Sequence, residues 1–343
     1  MSCRDTKASM AGSAEYGAVL LLLAAGVGSA ATPTEELTWA VQLFEHYPIL
    51  RTDITYYTAN NYESKLDVYL PNGSDKPKPT LVYFHGGGWL GGYNKNSSPF
   101  AFLPILQLGW NIVNVDYRSA SISPAPAAVR DCLCALRWVG RNAEEYHIDT
   151  KQIVLMGHSA GGLLALTTGM IPMSLSGLGA PCVYEDGYGP PPKSALNPVP
   201  PVRPAAIVSW SGPTDLADVT EGAHQQPYAT IWLGDPPDRA AMAKLVSPLT
   251  YVRPGLPPVI TIHGDQDPLV PYAGDVRLHD ALTKAGVANK LVTISGGGHG
   301  LLGVEATRDA WLQVFEFLEK AGLTVRVSDV PEAASDLRQT RAQ

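Results

Sequence analysis

Clusters of basic residues are missing from this sequence. Its 25 Lys and Arg are outnumbered by 32 Asp and Glu, giving a formal net charge of -7. Phosphate backbones are bound through grouped Lys and Arg, so nucleic acid is not an expected partner. Long apolar runs are scarce too. Beyond the N-terminal stretch, none is long enough to cross a bilayer. Cysteine is sparse, with only Cys3, Cys132, Cys134 and Cys182. Their spacing lacks the second ligand pair of a zinc site, so no metal is expected. Internal repeats are also lacking.

The N-terminus carries the pattern of a secretory signal over residues 1–30. Arg4 and Lys7 form a weakly basic start, diluted by Asp5 and Glu15, and Ala18 to Ala25 is a short apolar core. Small residues follow, with Gly28-Ser29-Ala30 or Ser29-Ala30-Ala31 as the cleavage site. The expectation is a secreted or periplasmic protein without a stable membrane anchor. Cys3 would leave with the signal, so an odd number of cysteines remains. Cys132 and Cys134 lie two apart on a predicted helix and point in different directions. Either is placed to pair with Cys182, and the spacing does not choose between them.

What is present is a rhythm of buried strands and helices across residues 31–325. Ile54 to Thr58 and Leu66 to Leu70 alternate like antiparallel strands joined through Asn60-Asn61. Further strands are expected at Thr80 to Phe84, Trp110 to Val115, Ile153 to Met156, Ala206 to Trp210, Val259 to His263 and Lys290 to Ile294. Helices are expected at Glu35 to Tyr47, Ala125 to Asn142 and Ala160 to Met170. Trp311, Val314, Phe315 and Leu318 give a last helix its apolar face. Alternating strands and helices imply an α/β fold, with a mostly parallel sheet covered on both faces. Pro172 to Pro204 is an irregular Gly- and Pro-rich insertion, read equally as a cap over the site or as a surface excursion. Residues 326–343 read as a polar, disordered tail.

The chemistry gathers at strand ends. Gly157-His158-Ser159-Ala160-Gly161 lies between an apolar strand and a helix, the setting in which a sharp turn exposes a serine hydroxyl. A serine hydroxyl needs a base, and His299 in Gly298-His299-Gly300 follows the last strand. The imidazole needs an acid, and His263-Gly264-Asp265-Gln266-Asp267 supplies two candidates. Asp267 is preferred, with Asp265 shaping the turn. The order Ser159, Asp267, His299 is the one expected for such a sheet. His85-Gly86-Gly87-Gly88-Trp89 follows another strand. The N–H groups of Gly87 and Gly88, with that of Ala160, are expected to hold an oxyanion. Trp89 and His158 are candidates for substrate contact, Trp89 having packing beneath its loop as an equal alternative. His85, Asp116-Tyr117-Arg118 and Asp215 read as structural.

These motifs together resemble the α/β-hydrolase superfamily. Within it, they are similar to the hormone-sensitive-lipase-like and bacterial feruloyl-esterase-like carboxylesterases. The resemblance spans roughly Asp53 to Gly322. It implies the α/β-hydrolase fold, a small-molecule ester substrate and no cofactor. His158 stands where hormone-sensitive-lipase-like enzymes usually have Asp, which is closer to the feruloyl-esterase-like group and to kynurenine formamidases. Amide cleavage by a formamidase, amidase or peptidase stays open, as does a non-catalytic binding protein on the same fold. The natural ester and the oligomeric state have no signature in these residues.

Overall fold

The computed structural model describes residues 49–71, 76–97, 99–172, 182, 202–300 and 303–325. The expected signal, the helix at Glu35 to Tyr47, most of the Pro172 to Pro204 insertion and the C-terminal tail lie outside them.

Eight strands form one sheet in the order β1-β2-β4-β3-β5-β6-β7-β8. They are β1 (Ile49–Ala59), β2 (Tyr62–Leu70), β3 (Lys78–Phe84), β4 (Asn111–Val115), β5 (Ile148–His158), β6 (Ala206–Trp210), β7 (Val259–Gly264) and β8 (Asn289–Ile294). β2 is antiparallel to both its neighbours, and every pairing from β4 through β8 is parallel. The helices are α1 (Leu103–Leu106), α2 (Ala127–Arg141), α3 (Ala160–Met170), α4 (Ala217–Thr220), α5 (Pro227–Leu233), α6 (Arg239–Val246), α7 (Tyr272–Lys284) and α8 (Val304–Lys320).

β4, β6 and β7 are buried throughout, the polar Asn111, Asn114, Ser209 and Thr261 included, because helices cover both sheet faces. Alternate side chains feed two cores. Val82, Phe84, Val113, Leu155 and Ile207 pack with α2, α3, α5, α6 and α7. Leu81, Tyr83, Ile112, Met156 and Val208 pack with α1 and α8. α3 is buried along nearly its whole length, which places it centrally against the sheet.

Five helices escaped the sequence reading, and α1 and α4 among them are single turns. α5 and α6 are short. α7 buries Leu278 and Leu282 but also Asp275 and His279, and those polar residues interrupt the apolar period. β5 also starts earlier than expected. Its first half carries exposed Thr150 and Lys151, so only backbone pairing marks it as strand.

The structure resolves the cysteines. Cys134 bonds to Cys182 across a sequence separation of 48 residues, and Cys132 is a buried free thiol. Burial pushes the Cys132 thiol well above its ordinary pKa, so it is a packing residue and a poor nucleophile. The bridge ties a long segment to α2 and restricts the unfolded chain. Replacing both Cys134 and Cys182 by Ser is expected to destabilise the fold by about 2–4 kcal/mol. Chemical denaturation under non-reducing conditions measures it, with Cys132→Ser as the control that leaves the bridge intact.

Candidate active site

The site is assembled at the C-terminal ends of parallel strands. β5 delivers Ser159 into a turn with φ 55° and ψ -119°, in the left-handed region that a serine rarely occupies. The Ser159 N–H donates to the Trp210 carbonyl at 2.7 Å, which holds the turn to β6. The turn closes only because its flanks lack side chains. A Cβ on Gly161 would stand 2.0 Å from the Phe84 carbonyl oxygen, and one on Gly157 would stand 2.2 Å from the Gly161 oxygen. Backbone cannot yield at such distances, so glycine is obligatory there.

His299 comes from the loop between β8 and α8. Its Nε2 lies 2.8 Å from Ser159 Oγ, and its Nδ1 lies 2.7 Å from Asp267 Oδ2. The partners fix the tautomer: Nδ1–H donates to the carboxylate and Nε2 accepts from the hydroxyl. Asp267 is held in turn. Its Oδ1 accepts the Leu269 and Val270 N–H groups at 2.8 and 3.0 Å. Burial opposes its charge, but hydrogen bonds from His263 and His299 outweigh burial and keep its pKa well below the carboxylate range. Asp265 does shape the turn, accepting the Gly296 N–H at 2.7 Å. Asp215 likewise serves a turn, accepting the Ala217 N–H at 3.1 Å.

The loop from His85 to Trp89 lies beside Ser159. Gly87 and Gly88 have φ 107° and 61°. A Cβ on Gly87 would come within 2.5 Å of the Tyr93 Cβ, so this backbone runs directly beneath a tyrosine ring. Ala160 opens α3, and its N–H belongs to the first turn, where helix donors have no intrahelical acceptor. The loop is braced from several sides. His85 stacks on Tyr117 with ring centroids 4.2 Å apart, and its Nδ1 donates to the Gly86 carbonyl. The Tyr117 hydroxyl donates to the His85 carbonyl at 2.7 Å. Arg118 forms a buried forked pair with Asp131, anchoring the end of β4 to α2. The structural reading of these residues therefore agrees with their contacts.

Trp89 differs from its candidacy as a substrate contact. It is 1% exposed, stacks on Trp232 at 4.0 Å and donates its indole N–H to the Ala160 carbonyl. It packs beneath the loop, where its large apolar surface is removed from water and from the open side of the site. Tyr228 and Trp232, the α5 residues around Trp89, had no sequence signal, because their helix is short and opens with proline.

His158 lies beside His299, with ring centroids 5.2 Å apart. Burial, reinforced by His299, lowers its pKa to about 4, so its imidazole is neutral at pH 7. His263 was part of a recognised motif but had no assigned role. It sits behind Asp267, with Nε2 3.0 Å from Asp267 Oδ2 and Nδ1 2.8 Å from Asp275 Oδ2. Among the described residues, no group of His, Cys, Asp and Glu is arranged to hold a metal ion.

The family model described as BD-FAE matches residues 66–282, well over half of the chain and including Ser159 and Asp267. The chain belongs to the BD-FAE family. A second family model, TAP-like protein, matches residues 242–325, which include His299. This BD-FAE member is 31% identical to Carboxylesterase NlhH of Mycobacterium tuberculosis over 65% of its own length and 66% of that protein. It is 29% identical to Esterase LipQ of the same organism over 61% of its length and 47% of that protein. The match to Lipase 2 of Moraxella is 41% identical but spans only a fifth of that protein. In structure it is similar to Thermogutta terrifontis esterase 2, with TM-score 0.63 and 28% identity over 82% of this chain and 97% of the other. A truncated carbohydrate esterase from gut microbiota gives TM-score 0.63 and 27% identity over 80% and 98%. The fold of this BD-FAE member is that of the α/β-hydrolase esterases.

The depressed pKa of His158 has a consequence for stability. The unfolded chain takes up a proton near pH 6.5, whereas the folded site resists it to about pH 4. His158 therefore costs stability as pH falls from about 6.5 to 4 and leaves it unaffected above that window. Melting temperatures across pH 4 to 7 are expected to fall less steeply for His158→Gln than for the native chain.

Proposed function

We propose that this chain is an exported carboxylic-ester hydrolase that works through an acyl-enzyme on Ser159. The observation that carries the reading is the unbroken hydrogen-bond chain Ser159 Oγ–His299–Asp267. A binding protein on this fold would have no use for a left-handed serine joined to a base that is itself held by a buried carboxylate.

Ser159 attacks the ester carbonyl while His299 Nε2 takes its proton. Asp267 stabilises the imidazolium that forms and holds the ring in place. The new oxyanion falls to the N–H groups of Gly87, Gly88 and Ala160, which meet it with little reorganisation. His299 then gives its proton to the leaving alkoxide. A water activated by the same imidazole hydrolyses the acyl-enzyme and restores Ser159. No cofactor enters these steps.

The relatives support short acyl groups. The Thermogutta esterase is recorded with bound propionate and with bound butyrate. Small aryl and carbohydrate-linked esters are the class we assign, the latter supported by the carbohydrate esterase relative. Export is supported by the N-terminal pattern and by the Cys134–Cys182 bond, since disulfides persist in oxidising compartments.

Ser159→Ala is expected to lower kcat on p-nitrophenyl acetate and butyrate by roughly three to six orders of magnitude, with the fold retained. Turnover near the native rate in that variant would remove Ser159 from the mechanism. Gly87→Ala is expected to lower kcat as well, because the new methyl group collides with the Tyr93 Cβ and must displace the loop. Steady-state kinetics on the same esters measures both.

A further inference from the structure

Asp267 Oδ2 is shared by two imidazoles. His299 reaches it at 2.7 Å from the solvent side, and His263 reaches it at 3.0 Å from the interior. Both nitrogens of His263 face oxygen acceptors. Nε2 meets Asp267 Oδ2 and, at 3.1 Å, the Val270 carbonyl, while Nδ1 meets Asp275 Oδ2 at 2.8 Å. The side chains of His263, Asp267 and Asp275 are all 1% exposed or less. A neutral imidazole carries one N–H and cannot donate on both sides.

We propose that His263 is a standing imidazolium, clamped by Asp275, and that this buried cation is a positioning residue which keeps Asp267 ionised and so keeps its hold on the His299 ring. The proposal rests on reading Asp267 as the acid of the triad. Two carboxylates buried this close to one another would otherwise share a proton, because burial and like charge both disfavour double ionisation. A protonated Asp267 would lose its hold on the tautomer and charge of His299. The cation between the two carboxylates removes that outcome.

The surroundings agree. Burial opposes a charge on His263, but hydrogen bonds to Asp267 and Asp275 outweigh it and set its pKa at about 9. The other ionisable groups around it are accounted for. From α7, the Tyr272 ring stands edge-on at 5.8 Å, and His279 is engaged by Thr261 and Asn289. His158 on β5 is held neutral by burial at pH 7. Burial, with the charge of Asp267 adding to it, raises the Tyr228 hydroxyl on α5 well above its ordinary value, so it too is neutral. Arg277 on α7 pairs with Asp218 and leaves the Asp275 carboxylate to His263.

The test is nitrogen-15 NMR of the imidazoles in the full chain across pH 5 to 9. His263 is expected to keep both N–H groups to above pH 8. In His263→Gln, which retains one donor without the charge, the carbon-13 signal of the Asp267 carboxyl is expected to show proton uptake within the same pH range, where the native carboxylate stays ionised. In Asp275→Asn, the His263 titration is expected to move down from its native value. A single N–H on His263 at pH 7 would overturn the proposal, since the ring would then be neutral. An Asp267 carboxyl that stays ionised across pH 5 to 9 in folded His263→Gln would overturn it equally. The native His263 titration decides the matter even if His263→Gln does not fold. Because no readout depends on ester turnover, failure of hydrolysis would defeat the functional reading while leaving these signals as they are.

Discussion

The backbone turn at Ser159 constrains everything around it. Its left-handed serine is tolerated only because Gly157 and Gly161 admit carbonyl oxygens where side chains would stand. A residue in that region costs of order 1–3 kcal/mol, so the surroundings must over-determine it. They do so through β5 packed between β3 and β6, and through α3 buried against the sheet. The Ser159 N–H to Trp210 bond ties the turn to β6. The loop from His85 to Trp89 depends on the same packing, since Trp89 donates to the Ala160 carbonyl at the start of α3. The loop, the turn and the helix therefore form one mechanical unit.

A second unit carries the charges. His299 is a light component on a glycine-rich loop, and its position is set by what lies behind it. Asp267 accepts two backbone N–H groups on one oxygen and two imidazoles on the other. Burial alone would drive such a carboxylate toward the neutral form. The donors reverse that, and their arrangement runs from Ser159 at the surface to Asp275 in the core. The Asp267 carboxylate is thus embedded in the packing of α7 against β7.

Much of this was legible in the sequence. Ser159, Asp267 and His299 stand in short glycine-flanked motifs that end recognisable strands, and chemistry at strand ends leaves compact signatures. The apolar runs Leu81 to Phe84 in β3, Ile153 to Met156 in β5 and Val259 to Ile262 in β7 followed for a related reason, since strands covered on both faces carry few polar residues. What stayed hidden depends on contacts between distant segments. Asp275 sits in a helix whose apolar period is broken by the very polar residues that face the site. The choice of Cys134 over Cys132 depends on how α2 rolls against its core, which spacing alone does not state. Trp89 looks from its motif as available to substrate as the glycines before it. Only the stacking of Trp232 shows that it faces inward.

The central claim is that Ser159 is a serine activated by its neighbours. Its most direct test is intact-mass spectrometry of the folded chain after brief exposure to a fluorophosphonate, followed by peptide mapping. The account predicts one adduct per chain, located on Ser159 and strongly slowed in His299→Ala. A chain that stays unmodified, or that is modified equally fast without His299, would contradict it.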